Sequence, residues 1–154
     1  MEQEPVTLGE FIAIACKVCE RQTRQDGSPY CLHFMRIMLA VKAKGYDERY
    51  QMVAIGHDLL EDSDFTHMCI GDLEDMGLPQ EVVDGIVAIT KLPNEKYGDY
   101  LIRVKNNEFS RVVKIEDISD NSNIHELTVV DSYVLRRLDK YHGAMRFLTG
   151  KAEL

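Results

Sequence analysis

Twelve residues, Met52-Val53-Ala54-Ile55-Gly56-His57-Asp58-Leu59-Leu60-Glu61-Asp62-Ser63, set chemistry into an apolar frame. Val53, Gly56, Leu59 and Leu60 recur near helical spacing and read as the end of a buried helix. His57, Asp58, Glu61 and Asp62 fall within that short stretch. On a continuous helix His57 stacks on Glu61 and Asp58 on Asp62, because positions four apart share a face. Carboxylates this close repel, and burying them is costly unless a cation or hydrogen-bond donors compensate. A divalent metal is the simplest compensation. The competing reading is an acidic helix end turned to water, the usual state of a charge cluster.

Two further residues bear on that choice. His33 falls in the first turn of an earlier helical pattern, and Asp117 lies inside a later one. Together with His57 and Asp58 they form a mixed nitrogen and oxygen set that suits a first-row divalent metal with positions open to water. Spacing alone does not bring them together, and a single histidine at a helix start is more often a satisfied polar group than a ligand.

The elements that must position these side chains are helices. Thr7-Leu8-Gly9-Glu10 is a capping box, and Leu8, Phe11, Ile12, Ala15, Val18 and Cys19 then trace one face of a first helix running out near Gln25. Asp26-Gly27-Ser28-Pro29 is a turn. A second helix turns Leu32, Met35, Met38 and Leu39 inward, with Val41 a further candidate, and stops at Gly45; Asp47 caps the third, which carries the acidic stretch. Thr66 is the expected cap of a short fourth helix ending at Gly77, and Pro79 opens a fifth with Val82, Val83, Ile86 and Val87 buried. Tyr97, Tyr100, Leu101 and Val104 mark a sixth helix; Phe109, Val112, Val113 and Glu116-Asp117 mark a seventh after the Asn106-Asn107 break. Ser119 to Thr128 is polar and irregular at its end. The last helix begins near Asp131, with Val134, Leu135, Leu138, Tyr141, Met145 and Leu148 inward, and stops at Gly150. No alternation is long enough for a sheet, so the expected fold is all-α, a single domain over 1–154 of about eight helices.

Composition sets outer limits. A chain of 154 residues with 45% hydrophobic content is long enough to bury roughly 70% of its unfolded surface. A net charge of −8 argues against a nucleic-acid backbone as partner, though a metal and a few basic residues can still accept a small phosphorylated substrate. No apolar run reaches membrane-spanning length and MEQEPV is no signal peptide, so a cytoplasmic chain is expected. Cys16 and Cys19 form a C-x-x-C with no second pair at zinc spacing; with Cys31 and Cys69 isolated, free and mostly buried thiols are expected.

The order His33, His57-Asp58, Asp117 resembles the H…HD…D signature of HD-superfamily phosphohydrolases. Arg24-Gln25-Asp26-Gly27-Ser28-Pro29-Tyr30 with His33 is similar to the R-x-x-G-x-P-Y-x-x-H segment of the hydrolase domain in RelA/SpoT-type alarmone enzymes, and His57 to Ser63 matches that family's HD-x-x-E-D-S/T segment. Thr66, Gly77, Val87 with Thr90-Lys91, Tyr97 and Tyr100, and Lys114 to Asp117 with Asn121 follow in family order, so the resemblance spans residues 10 to 148. It implies an all-helical (p)ppGpp 3′-pyrophosphohydrolase, usually manganese-dependent (Mn2+), without the family's synthetase or regulatory domains. Carried over by position, His33, His57, Asp58 and Asp117 hold the metal, while Glu61 and Asp62 position or deprotonate the attacking water. Arg24 lies over the guanine base, Asn121 faces the ribose, and Arg137 and Tyr141 contact phosphate. The products are GDP or GTP and pyrophosphate. Departures cluster around the nucleotide: Gln25 stands where lysine is common, Cys19 where histidine is, Ile118-Ser119 where Arg-Leu is usual, and Ile124 at a common threonine. Alternatives on the same framework are a phosphatase acting on the 2′-phosphate of NADPH, as in metazoan SpoT-like members, another HD nucleotide phosphohydrolase, or a module that binds a nucleotide without turnover.

Overall fold

In the computed structural model, which describes residues 4–61 and 67–154, the chain forms eight α-helices and no strand among the described residues. They are α1 (Leu8–Val18), α2 (Cys31–Ala43), α3 (Glu48–Gly56), α4 (Ile70–Asp75), α5 (Gln80–Ile89), α6 (Tyr97–Asn106), α7 (Glu108–Asn121) and α8 (Ser132–Leu148). The expected all-α bundle is what forms. Local signals set many of the starts. Thr7 accepts from the Glu10 amide while Glu10 returns a 2.8 Å bond to the Thr7 amide, and Asp47 and Asp131 cap α3 and α8 through their side chains. Gly45 and Gly77 end α2 and α4 with φ of +84° and +71°, where a side chain would be strained. Thr66, the expected cap of α4, lies outside the described residues; the helix begins behind Cys69, whose amide donates to Asp72 at 2.6 Å.

The helix in the middle is α3. Every residue from Tyr50 to Gly56 is buried, as suits a helix surrounded by neighbours rather than presenting one face. It packs against α1, α2, α5 and α7. One of these contacts depends on a missing side chain. A Cβ at Gly85 would stand 2.8 Å from Val53 Cγ2 and 3.1 Å from Phe109 Cβ, so α5 approaches α3 closely because glycine is there. Since Phe109 Cβ is tied to its own backbone, Gly85→Ala is expected to destabilise the fold by about 1–3 kcal/mol through overpacking. A denaturant titration with an unchanged midpoint would contradict that close approach.

Buried side chains fall into two clusters. The larger joins α1, α2, α3, α5 and part of α7 through Phe11, Phe34, Ile37, Val53, Ile86 and Val113; the smaller joins α6, α7 and α8 through Tyr100, Leu101, Ile118, Phe147 and Leu148. Helix α7 serves both, through Val113 and Ile118, and carries Asp117.

Four expectations about these elements need correction. Helix α1 stops at Val18 instead of running to Gln25, because Arg21 to Gln25 is polar and has no apolar face to dock. A tight loop replaces it, closed by bonds from the Arg24 amide to Ser28 O and from the Tyr30 amide to Gln22 O, both 2.9 Å. On α2, Met38 and Val41 are buried, but Leu32 and Leu39 are 44% and 53% exposed, with Phe34 and Ile37 buried in their place. That helix is apolar nearly all round, so periodicity does not fix its rotation; packing against α3 and α7 does. On α8, Leu135 is exposed and Leu138 half-buried, since among the helices it meets chiefly α6 and α7 and only a narrow face is covered. Finally, α3 ends at Gly56, and residues 57–61 leave it in tight turns, with the Leu59 amide on Gly56 O and the Glu61 amide on Asp58 O. The i, i+4 stacking expected for His57 on Glu61 is therefore not a helical one.

Candidate metal centre and adjoining cavity

Leaving the helix at Gly56 has a geometric consequence. On a regular helix neighbouring side chains diverge by about 100°, whereas here His57 and Asp58 point at the same space, with His57 Nε2 3.1 Å from Asp58 Oδ2. Helix α2 brings His33 to that space from one side and α7 brings Asp117 from the other. His33, His57 and Asp58 offer ligand-type atoms all within 4.8 Å of one another. Asp117 Oδ1 is 3.1 Å from His33 Nε2 and 3.7 Å from His57 Nε2. The two imidazole rings meet edge-on, with centroids 5.3 Å apart.

Each member is held in place. His57 Nδ1 lies 2.7 Å from the Ala54 carbonyl, which can only accept, so Nδ1 carries the proton and donates it. His57 Nε2 is then buried with no hydrogen-bond partner. Asp58 accepts from the Tyr30 hydroxyl. Asp117 accepts from Lys114 Nζ at 2.6 Å and Asn121 Nδ2 at 2.7 Å. An imidazole lone pair facing two carboxylates is unfavourable unless a cation stands between them. The residues present therefore fit a divalent ion, and the two histidines with two carboxylates are a donor set common for first-row metals.

Electrostatics point the same way. Burial opposes protonation of His57, but the nearby charge of Asp58 and then that of Asp117 outweigh it and raise the pKa to about 9. For Asp117, burial pushes upward, while Lys114 and then the two histidines hold the carboxyl well below its usual range. Tyr30 stays a phenol, pushed up by burial and by Asp58. Glu61 is exposed as a residue, yet burial of its carboxyl and then the charge of Asp58 raise its pKa to about 7. Asp62 lies outside the described residues.

These shifts fix a pH dependence for the metal-free protein. A group raised on folding stabilises fully below its unfolded pKa and loses that contribution as pH climbs through the folded one. His57, raised from 6.5 to about 9, therefore destabilises progressively over that interval, and Glu61 acts in the same sense between 4.5 and about 7. A bound divalent ion takes the place of the His57 proton, and ion binding strengthens as the ligands deprotonate. The difference in Tm with and without chelator is thus expected to widen from pH 6.5 to 9. Parallel curves across that range would argue against an ion at this position.

Beside the cluster opens a cavity of about 210 Å³ lined by residues that include Arg24, Gln25, Tyr30, Asp120, Asn121 and Arg137. Arg24 reaches Asn121 Oδ1 at 3.1 Å, and Arg137 Nε is buried without a partner. Tyr141 is not among the lining residues. It packs against the smaller core cluster, close enough to the centre for burial and then the charge of Asp117 to raise its pKa. Ile124 is 62% exposed and also outside the lining. Four residues with no role in the sequence reading prove to be in the constellation: Tyr30, Arg36, Lys114 and Asp120. Spacing carried a signal for two of them, since Lys114 and Asp120 lie one turn either side of Asp117.

The cysteines stand apart from this arrangement. All four are free; Cys19 is buried, its thiol pushed up to about 11 by burial and then by Cys31, while Cys69 is exposed, contrary to the expectation of mostly buried thiols.

No protein-family model matches the sequence, and no curated protein matches it. Among solved structures, the fold is similar to a metazoan ortholog of SpoT, described as hydrolysing ppGpp and playing a role in starvation responses. The TM-score is 0.74 at 19% identity, covering 97% of this chain and 87% of that one. The chain thus shares the all-α fold of that protein. No helix among the described residues is long and apolar enough to cross a membrane.

Proposed function

We propose that the chain is a metal-dependent phosphohydrolase that removes the 3′-diphosphate of (p)ppGpp, giving GDP or GTP and pyrophosphate. The observation that carries this reading is the buried, unpartnered Nε2 of His57 facing Asp58 and Asp117, with Asn121 reaching from that cluster into the adjoining cavity. The fold shared with a ppGpp-hydrolysing protein supports it.

His33, His57, Asp58 and Asp117 would hold the ion, with manganese as the working metal. When bound, a divalent ion supplies acidification of water and neutralisation of charge at phosphorus. The remaining work belongs to side chains. Lys114 and Asn121 fix the Asp117 carboxylate, and Tyr30 fixes Asp58. In the cavity, Arg24 lies against the base and Asn121 against the ribose, while Arg137 faces phosphate; Tyr141, which does not line the cavity, stands outside this set. Glu61 accepts a proton from the attacking water, with Asp62 beside it in sequence. The new oxygen–phosphorus bond forms as the bond from phosphorus to the 3′ oxygen breaks, and the proton that Glu61 took is returned to that oxygen, which leaves as the 3′-hydroxyl. Retention of Glu61 and Asp62 favours turnover over mere capture, since binding requires no acid–base pair.

The alternative substrate follows from Gln25, which lines the cavity where the resembling family commonly has a basic residue. Parallel assays of the metal-replete protein on ppGpp, pppGpp and NADPH, with pyrophosphate and phosphate measured separately, decide between them. Pyrophosphate from the guanosine nucleotides is expected. Phosphate from NADPH alone would replace the alarmone reading with a 2′-phosphatase.

A further inference from the structure

The two histidines of the centre are fixed by different devices. For His57 it is the main-chain carbonyl of Ala54. For His33 it is a side chain: Nδ1 lies 2.6 Å from Asp120 Oδ2, while Nε2 faces Asp117. Asp120 is itself gripped by the fork of Arg36, with Nε donating to Oδ1 at 2.6 Å and a terminal nitrogen to Oδ2 at 2.9 Å. Arg36 stands one turn after His33 on α2, as Asp120 stands one turn after Asp117 on α7. Helix α2 thus contributes an imidazole and a guanidinium, α7 contributes two carboxylates, and the four form a chain of contacts from Asp117 through His33 and Asp120 to Arg36. Arg24 at 3.8 Å from Asp120 and Glu126 at 3.5 Å from Arg36 lie at its edge.

We propose that Asp120 is a positioning residue: it holds His33 as the Nδ1–H tautomer with its ring fixed, so that Nε2 presents a lone pair to the divalent ion. This rests on the metal reading above. The inventory of donors and acceptors places the proton. A ligating imidazole nitrogen must be bare, and a neutral ring has one proton to place. A carboxylate already taken by arginine can only accept, so the proton belongs on Nδ1. Such a carboxylate behind a ligating histidine sets its tautomer and orientation and raises its basicity. The competing account is a plain clamp between α2 and α7, in which Arg36 and Asp120 matter and the imidazole is a bystander.

Asp120→Asn separates the two. The amide has the shape of the carboxylate, but Arg36 only donates and so takes the amide oxygen. The NH2 then faces Nδ1, and the His33 proton moves to Nε2, where the ion belongs. The affinity of chelator-stripped protein for Zn2+ is expected to fall about 10–100-fold, with the helical circular dichroism intact. Arg36→Met leaves Asp120 as an acceptor and is expected to lower Tm while keeping most of that affinity. Nitrogen-15 spectra of the Zn2+-loaded wild type should show a proton on His33 Nδ1, a readout that does not depend on how the variants fold. Unchanged Zn2+ affinity in Asp120→Asn, or His33 bound through Nδ1, overturns the proposal. If His57→Ala loses the ion while Asp120→Asn keeps it, this inference alone fails; if the wild type binds no ion, the function proposed above fails with it.

Discussion

His57→Ala is expected to empty the metal centre and take hydrolysis down to the rate of water alone. The imidazole is buried, its Nδ1 is committed to the Ala54 carbonyl, and its Nε2 is the atom aimed between Asp58 and Asp117. Removing it takes away a ligand and leaves the charges of buried Asp117 and half-buried Asp58 facing one another, so ion affinity and catalysis should fall together. Groups that act as a unit lose their effect as a unit, and partial activity is not the expected outcome. Metal analysis of the purified wild type should find close to one divalent ion per chain. Intrinsic affinities favour zinc or nickel over manganese, so the ion that co-purifies need not be the one that supports the best rate. A variant with full metal content and full activity would end the assignment of this cluster.

Glu61→Gln should behave differently. Burial of the carboxyl and then the charge of Asp58 raise its pKa to about 7 in the metal-free protein, a value suited to accepting a proton near neutrality. An ion seated nearby draws it back down, so the base is unprotonated when substrate is present. The amide keeps the size of the acid and removes its basicity. Metal should stay, and kcat should drop by about 10²–10⁴-fold, the usual contribution of a general base. Binding of substrate should weaken little, or tighten, because a negative charge near the phosphates has gone. Asp62→Asn is the companion variant, with the same expected split between kcat and metal content. If Glu61 merely faces water, its substitution changes stability by no more than about 0.5 kcal/mol and leaves the rate alone.

The sequence made some of this arrangement legible and left the rest to packing. Capping residues Thr7, Asp47 and Asp131 announce three helix starts through chemistry local to a single turn. The order of His33, His57-Asp58 and Asp117 carries the resemblance, because each residue type is constrained by what it must do. The rotation of α2 was not legible, since Leu32, Met35 and Leu39 are as apolar as the Phe34, Ile37 and Val41 that are buried. The exit from α3 after Gly56 was hidden for a related reason. Leu59 and Leu60 continue an apolar helical pattern, and only convergence with α2 and α7 explains why the chain turns there. Asp120 and Arg36 were missed because their pairing spans 84 residues of sequence and no local rule predicts it. Tyr141, assigned by position alone, lies behind the cavity and not along it.

The most direct test is turnover of ppGpp by the manganese-replete wild type in water enriched with oxygen-18, followed by phosphorus-31 spectra and mass analysis of the products. The account predicts GDP and pyrophosphate in equal amounts, with one labelled oxygen in the pyrophosphate and none on the released 3′-hydroxyl, because water attacks phosphorus. Absence of turnover with the ion bound, or label appearing at the 3′ oxygen of the nucleoside, would contradict it.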